Sequence, residues 1–180
     1  AISIVYPENI SYNVNVSELN YTVSDDNGLM DSCWYTLDNG VTNTTITCGQ
    51  NATNLNSNEG SNTWRVYAND TASLENQANV TFFKDSVAPS LNITSPNNRT
   101  NTTDTALDIL YMRSDLTSSM DSCWYSNDTF SVNLSLGSAG VCANITNITW
   151  SQGNHNVRIY VNDTLNNINQ SHVTFLIDNV

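Results

Sequence analysis

The five residues DSCWY, Asp31 to Tyr35, return ninety positions later as Asp121 to Tyr125, in a chain of 180 residues. The methionine before them returns as well, as Met30 and Met120. VYANDT (Val66 to Thr71) recurs as IYVNDT (Ile159 to Thr164), and NVTFFKD (Asn79 to Asp85) as HVTFLID (His172 to Asp178). APSLNITSP (Ala88 to Pro96) matches the opening AISIVYP with two extra residues. The offset grows from ninety at the tryptophans to ninety-three toward the ends, the drift expected where loops absorb insertions. Repeats of this length are whole domains rather than solenoid turns. The chain therefore reads as two domains, residues 1–87 and 88–180.

Each half reads as β. Leu19, Tyr21 and Val23 alternate with polar residues, as do Trp64, Val66 and Ala68, the period-two pattern of a half-buried strand. Short strands separated by Asn, Asp, Ser and Gly imply an all-β fold, with two antiparallel sheets packed as a sandwich in each half. The pattern predicts strands near residues 2–6, 18–23, 32–37, 43–48, 63–69 and 78–84. In the second half it predicts 90–94, 105–111, 122–126, 131–136, 141–149, 156–162 and 171–177.

A core built from about ninety residues is small, so a covalent staple would help it. The four cysteines supply one pair per half, Cys33 with Cys48 and Cys123 with Cys142. Fourteen or eighteen intervening residues do not give CxxC-like metal spacing. Disulfides are the expectation, and an oxidising compartment follows from them. Cys33 and Trp34 are neighbours on a strand and face opposite sides. The expectation is that Trp34 packs between the sheets while the disulfide ties the outer face.

Sequons of the form N-x-S/T begin at Asn9, Asn15, Asn20, Asn43, Asn51, Asn69, Asn79, Asn92, Asn98, Asn101, Asn127, Asn133, Asn144, Asn147, Asn162 and Asn169. That is sixteen, where 30 Asn and 42 Ser plus Thr in 180 residues would give about seven by chance. The excess points to a glycan coat. Three pairs occupy equivalent places, Asn9 with Asn98, Asn51 with Asn144 and Asn69 with Asn162. A coat also accounts for what the surface lacks. Lys84 is the one lysine, and net charge is −12. Sheet edges are usually blunted by lysine, proline or bulges, and bulky neutral glycans with net charge serve the same end. So acidic a surface repels nucleic acid and anionic membranes as partners. No apolar run approaches the length of a membrane span, so direct membrane insertion is not expected.

The pattern DSCWYTLDNG…TTITC…EGSNTWRVYANDTASLENQANVTFFKDSVAPSLNITSP resembles the Ig-like repeats of large bacterial and archaeal cell-surface proteins. Those often join through a VD-x-x-AP connector, matched here by Asp85 to Pro89. The resemblance covers both halves and implies Ig-like sandwiches at a cell surface. It leaves the ligand open, since such modules serve as stalks, adhesins and fibre subunits. The second copy departs from the first where Val157 replaces Trp64 and Trp150 appears nearby.

Little chemistry is legible. His155 and His172, the only histidines, have Asn62 and Asn79 as counterparts, and they read as solvent-exposed strand residues. No GxSxG or HExxH motif accompanies them, so no catalytic residue is assigned and the chain does not read as an enzyme. Asp25, Asp26 and Asp31, with Asp115 and Asp121 in the second copy, read as solvated loop carboxylates. Calcium is the sharper alternative, for hard oxygen ligands near the joint at Asp70, Asp85, Asp163 and Asp178 suit it; no metal site is assigned and no cofactor is expected. FLIDNV followed by AISIVYP also rebuilds the internal joint, with Asp178 in the place of Asp85 and Ile4 in that of Ile93. Head-to-tail contact of this kind generates an open filament, with Val180 of one copy beside Ala1 of the next. The sequence thus reads as the repeat unit of a glycosylated extracellular fibre. Its partners are copies of itself or adjacent repeats of one polypeptide; the alternative is the stalk or binding module of an adhesin.

Overall fold

Alternation is the organising pattern of the longest strands. In Gly60–Asp70, Asn62, Trp64, Val66 and Ala68 point inward, and in Gly153–Asp163 the inward set is His155, Val157, Ile159 and Val161. The computed structural model describes residues 1–138 and 140–179. Among them there is no helix. The strands in chain order are β1 Ile2–Tyr6, β2 Ser11–Tyr12, β3 Glu18–Val23, β4 Met30–Thr36, β5 Thr44–Ile46, β6 Ala52–Thr53, β7 Gly60–Asp70 and β8 Glu75–Lys84. They continue as β9 Ser90–Ser95, β10 Thr100–Thr102, β11 Leu110–Ser114, β12 Met120–Asn127, β13 Leu134–Ser138, β14 Gly153–Asp163 and β15 Ile168–Ile177. The chain divides into two compact units, Ala1–Ser86 and Val87–Val180.

Both units use one topology. The first has a five-stranded sheet of order β2-β8-β7-β4-β5 and a three-stranded sheet β1-β3-β6. The second has β10-β15-β14-β12-β13 and β11-β9. In place of a sixth strand, the second unit keeps a single bridge, Ile109 to Ile145, where the first pairs Leu19 with Ala52. The predicted strand at 141–149 therefore reduces to one bridged residue. β2 and β10 are short edge strands that pair parallel to β8 and β15. Two or three residues are too few to show a hydrophobic period, so neither was foreseeable from alternation.

The first core gathers Val16, Leu19, Tyr21, Trp64, Val66 and Phe82, and the second Ile109, Tyr111, Trp150, Val157, Ile159, Phe175 and Ile177, among others. Fully burying one such aliphatic side chain is worth about 1.5–3 kcal/mol. The change of Trp64 to Val157 is compensated across the core. Trp64 meets Phe82 edge-on at 5.0 Å, and Trp150 meets the equivalent Phe175 edge-on at 5.0 Å. The indole has moved to another segment but packs on the same phenyl ring.

One expectation is reversed. Cys33, not Trp34, faces the core, with no exposed surface, and Cys123 is buried likewise. Trp34 and Trp124 lie half-buried on the outer face of the five-stranded sheets. Strand parity puts neighbouring side chains on opposite faces without fixing which face is inside. A disulfide is compact and apolar, and between the sheets it fills the core beside Val161 in the second unit.

Candidate functional site

The repeated motifs meet in space. Cys33 joins Cys48 and Cys123 joins Cys142, with Cα–Cα distances of 5.1 and 5.5 Å. Each bridge reaches from the DSCWY strand to the segment that follows β5 or β13. A tyrosine fixes that segment from the opposite sheet: Tyr21 donates its hydroxyl to Thr47 O and Tyr111 to Ala143 O, at 3.4 and 3.1 Å. Burial pushes both phenol pKa values up.

DSCWY and NDT also form one device. A bulge in β4 between Met30 and Ser32, and in β12 between Met120 and Ser122, displaces the strand from its ladder. Asn69 Oδ1 fills the gap by accepting from Ser32 N at 3.0 Å and Ser32 Oγ at 2.5 Å. Asn162 Oδ1 does the same for Ser122 N and Oγ at 2.9 and 2.6 Å. The next residue closes the hairpin. Asp70 Oδ1 accepts from Ala72 N and Leu74 N, and Asp163 Oδ1 from Leu165 N and Asn167 N, all at 2.8–2.9 Å.

On the outer face, Trp34 stacks on Tyr67 with ring centroids 5.4 Å apart and planes 4° from parallel. Trp124 stacks on Tyr160 at 5.5 Å and 5°. The ladder continues to Gln77 and Gln170, registered opposite the tyrosines. Two of the four arginines flank it at matched positions and hold the loop before the edge strand. Arg65 donates to Asn39 Oδ1 through Nε and Nη2, and Arg158 lies over Phe130 at 4.2 Å. The repeat marks the shared tryptophan, but alternation along one strand does not show its outward stack, because the partner tyrosine lies on a different strand.

Of the sequon asparagines, Asn9, Asn15, Asn43, Asn51, Asn79, Asn92, Asn98, Asn101, Asn133, Asn144 and Asn147 are exposed. Asn20, Asn69, Asn127 and Asn169 are half-buried, and Asn162 is buried. Two of the three matched pairs have matched contacts: Asn51 and Asn144 accept from Tyr21 N and Tyr111 N at 3.3 and 3.0 Å, and Asn69 and Asn162 clamp the bulges. Asn98 accepts from Thr174 N and Oγ1, while its counterpart Asn9 has no such bond among the described residues.

The acidic residues are largely committed to turns. Asp25 Oδ2 accepts from Leu29 N at 2.7 Å, and Asp115 Oδ1 from Thr117 N and Ser118 N at 2.9 and 2.7 Å. Asp26, Asp31 and Asp121 are exposed, and Asp178 accepts from Gln152 Nε2. Asp85 and Asp163 are fully buried. Within the second unit the Asp163 and Asp115 carboxylates lie within 4.8 Å of each other.

His172 is exposed, but His155 is not, a second correction. It is buried against Trp150 and Phe175. Its Nδ1 faces Asp128 Oδ2 at 3.0 Å and its Nε2 faces Ser151 O at 2.9 Å. A cleft of about 470 Å³ opens beside it, lined by Arg99, Asn101, Asp128, Asn156 and Thr174 among others. Both ring nitrogens are occupied, and Ser151 offers its carbonyl rather than its hydroxyl, so the trio is not arranged as a nucleophile and base. In the first unit Asn62 bonds its own loop at Asn58 and Gly60 instead.

The sequence matches no protein-family profile and no curated protein. Similarity lies in the fold. Extracellular domains 3–5 of Drosophila OTK match at a TM-score of 0.53 and 12% identity, over 99% of this chain and 62% of that one. Domains A168–A170 of titin match at 0.50 and 12%, over 97% and 64%. Fibronectin(III)-like modules of Clostridium thermocellum CbhA match at 0.43 and 14%, over 99% and 94%. The chain thus spans under two thirds of the OTK and titin segments it resembles. It is an all-β tandem of two Ig-like sandwiches.

Proposed function

We propose that this chain is a structural repeat unit of a glycosylated extracellular fibre or surface array, joined head to tail through its Ig-like domains. The observation that carries the reading is what the two units share. The disulfide, the Asn–Ser bulge clamp, the Asp-closed hairpin and the outward Trp–Tyr stack are all repeated, while the His155 cleft is not. Staples and an aromatic surface kept in both copies, beside a His155 that the first unit replaces by Asn62, fit a load-bearing module better than a catalyst. The disulfides suit an oxidising exterior, and the domains of Drosophila OTK that share this fold are extracellular ones. Recurrence of the segments flanking Asp85 to Pro89 supports joints of one kind along an array. A non-closing contact of that kind propagates.

The second reading, an adhesin stalk or binding module, is favoured by the cleft confined to one unit. Sedimentation of material gently extracted from its native source separates the two. The fibre reading expects assemblies far larger than a single chain; a population wholly of single-chain size would overturn it.

A further inference from the structure

Strand register gives a structural place to a fourth matched pair of sequons, Asn43 and Asn133. Asn43 and Asn133 lie ninety residues apart, the offset of the two DSCWY motifs, and the unequal segments that end at Cys48 and Cys142 come only after them. In space the two asparagines are equivalent. Thr45, the third residue of the first sequon, is registered opposite Trp34. Ser135, the third residue of the second, is registered opposite Trp124. Each asparagine immediately precedes an edge strand, β5 or β13. By the two-residue period it belongs to the face that carries the tryptophan, one diagonal step away. Both asparagines are exposed, and among the described residues neither side chain makes a hydrogen bond. This contrasts with Asn162, which is buried and donates Nδ2 to Asp121 and Asn166.

We propose that Asn43 and Asn133 are the glycan sites built into the module, and that the first pyranose of each glycan rests on the exposed part of Trp34 or Trp124. The proposal rests on the glycan-coat reading above and assigns it a place. The Trp–Tyr stack gives a flat, half-exposed aromatic surface whose negative face attracts the polarised C–H bonds of a sugar ring. Gln77 and Gln170, next in the ladder, bring amides for sugar hydroxyls. Arg65 and Arg158 pin the loops from which the asparagines emerge. Transfer requires an activated glycosyl donor, such as a lipid-linked sugar diphosphate, and its transferase. The Asn Nδ2–C1 bond forms, the donor's C1–O bond breaks with its electron pair leaving on the diphosphate, and one amide proton goes to solvent. The outcome is a sugar planted at the open edge of each large sheet, where strand pairing with another chain would begin.

The test is glycopeptide mapping of the chain from its native source, followed by proton NMR of the glycosylated chain with and without Trp34→Ala. Expected are occupied Asn43 and Asn133, an Asn162 without sugar, and upfield-shifted sugar resonances. Trp34→Ala should abolish those of the Asn43 glycan and leave those of the Asn133 glycan. Trp34→Leu, which keeps an apolar cover on Tyr67, gives the same reading if the alanine variant does not fold. Glycans elsewhere with Asn43 and Asn133 bare would overturn this inference and spare the coat. A chain with no glycan would overturn both. Sugar resonances indifferent to Trp34 would overturn the stacking.

Discussion

Asn162→Ala removes the clamp of the second unit's bulge, and its cost can be worked from the bonds it breaks. Ser122 N loses its acceptor at 2.9 Å, and Ser122 Oγ loses one at 2.6 Å. The hydroxyl keeps a fallback, because Asp121 Oδ2 lies 3.3 Å away. The amide is the larger loss, a part-buried backbone donor deprived of the Asn162 side chain beside the bulge. A hydrogen bond lost is worth about 0.5–1.5 kcal/mol and a buried donor left unpaired costs about 1–3 kcal/mol. The sum is roughly 2–4 kcal/mol, dominated by the backbone amide. For a domain of this size each kcal/mol lowers Tm by about 4–8 °C, so a drop of roughly 10–25 °C is expected. Scanning calorimetry of the full chain measures it, with peptide-resolved hydrogen exchange assigning the loss to the second unit. Ser122→Ala, which spares the backbone bond, should cost under about 1.5 kcal/mol. If the two variants cost the same, or if Asn162→Ala is neutral, the clamp is not what holds the bulge.

Cys48→Ala should destabilise the first unit by about 2–5 kcal/mol, since the bridge closes a loop of 15 residues; denaturant unfolding reads this, and non-reducing peptide mapping verifies the pairing. Trp150→Phe should cost more than Trp64→Phe by about 1–2 kcal/mol, because the Trp150 indole donates to Leu107 O while that of Trp64 has no acceptor. Equal losses in urea titrations would contradict that. The Thr36 hydroxyl first, then the Thr42 and Val41 amides, hold the Asp38 carboxyl well below its usual range. Its contribution to the loop before Asn43 is therefore complete above the unfolded value of about 3.9 and lost as pH falls through the lower folded value. Hydrogen exchange of residues 38–42 should accelerate below about pH 4 in the wild type, and Asp38→Ala should be fast throughout.

Two sandwiches, two disulfides and most long strands were legible because each leaves a local mark: a period of two, a cysteine pair within each repeat, or a motif written twice. What stayed hidden depends on partners distant in sequence. Trp34 stacks on Tyr67 and Cys33 faces the core, and parity along one strand cannot tell inside from outside. His155 reads as a surface residue until Trp150, Phe175 and Asp128 fold around it. β2 and β10 are too short to show a pattern. Asn43 and Asn133 share the ninety-residue offset of DSCWY, but their place on the tryptophan face follows only from the register of Thr45 with Trp34 and of Ser135 with Trp124. Asn69 and Asn162 carry two signals in the same letters, a sequon and a bulge clamp, and burial separates them.

The most direct test of the central claim is electron microscopy of assemblies isolated from the native source without reduction. The account predicts beaded threads whose axial repeat contains two domains, with the C-terminal segment through Asp178 of one repeat entering the Ile2–Tyr6 strand of the next as Asp85 enters Ser90–Ser95; Val180 itself lies outside the described residues. Separate two-domain particles, or closed dimers with neighbouring termini pointing apart, would contradict it.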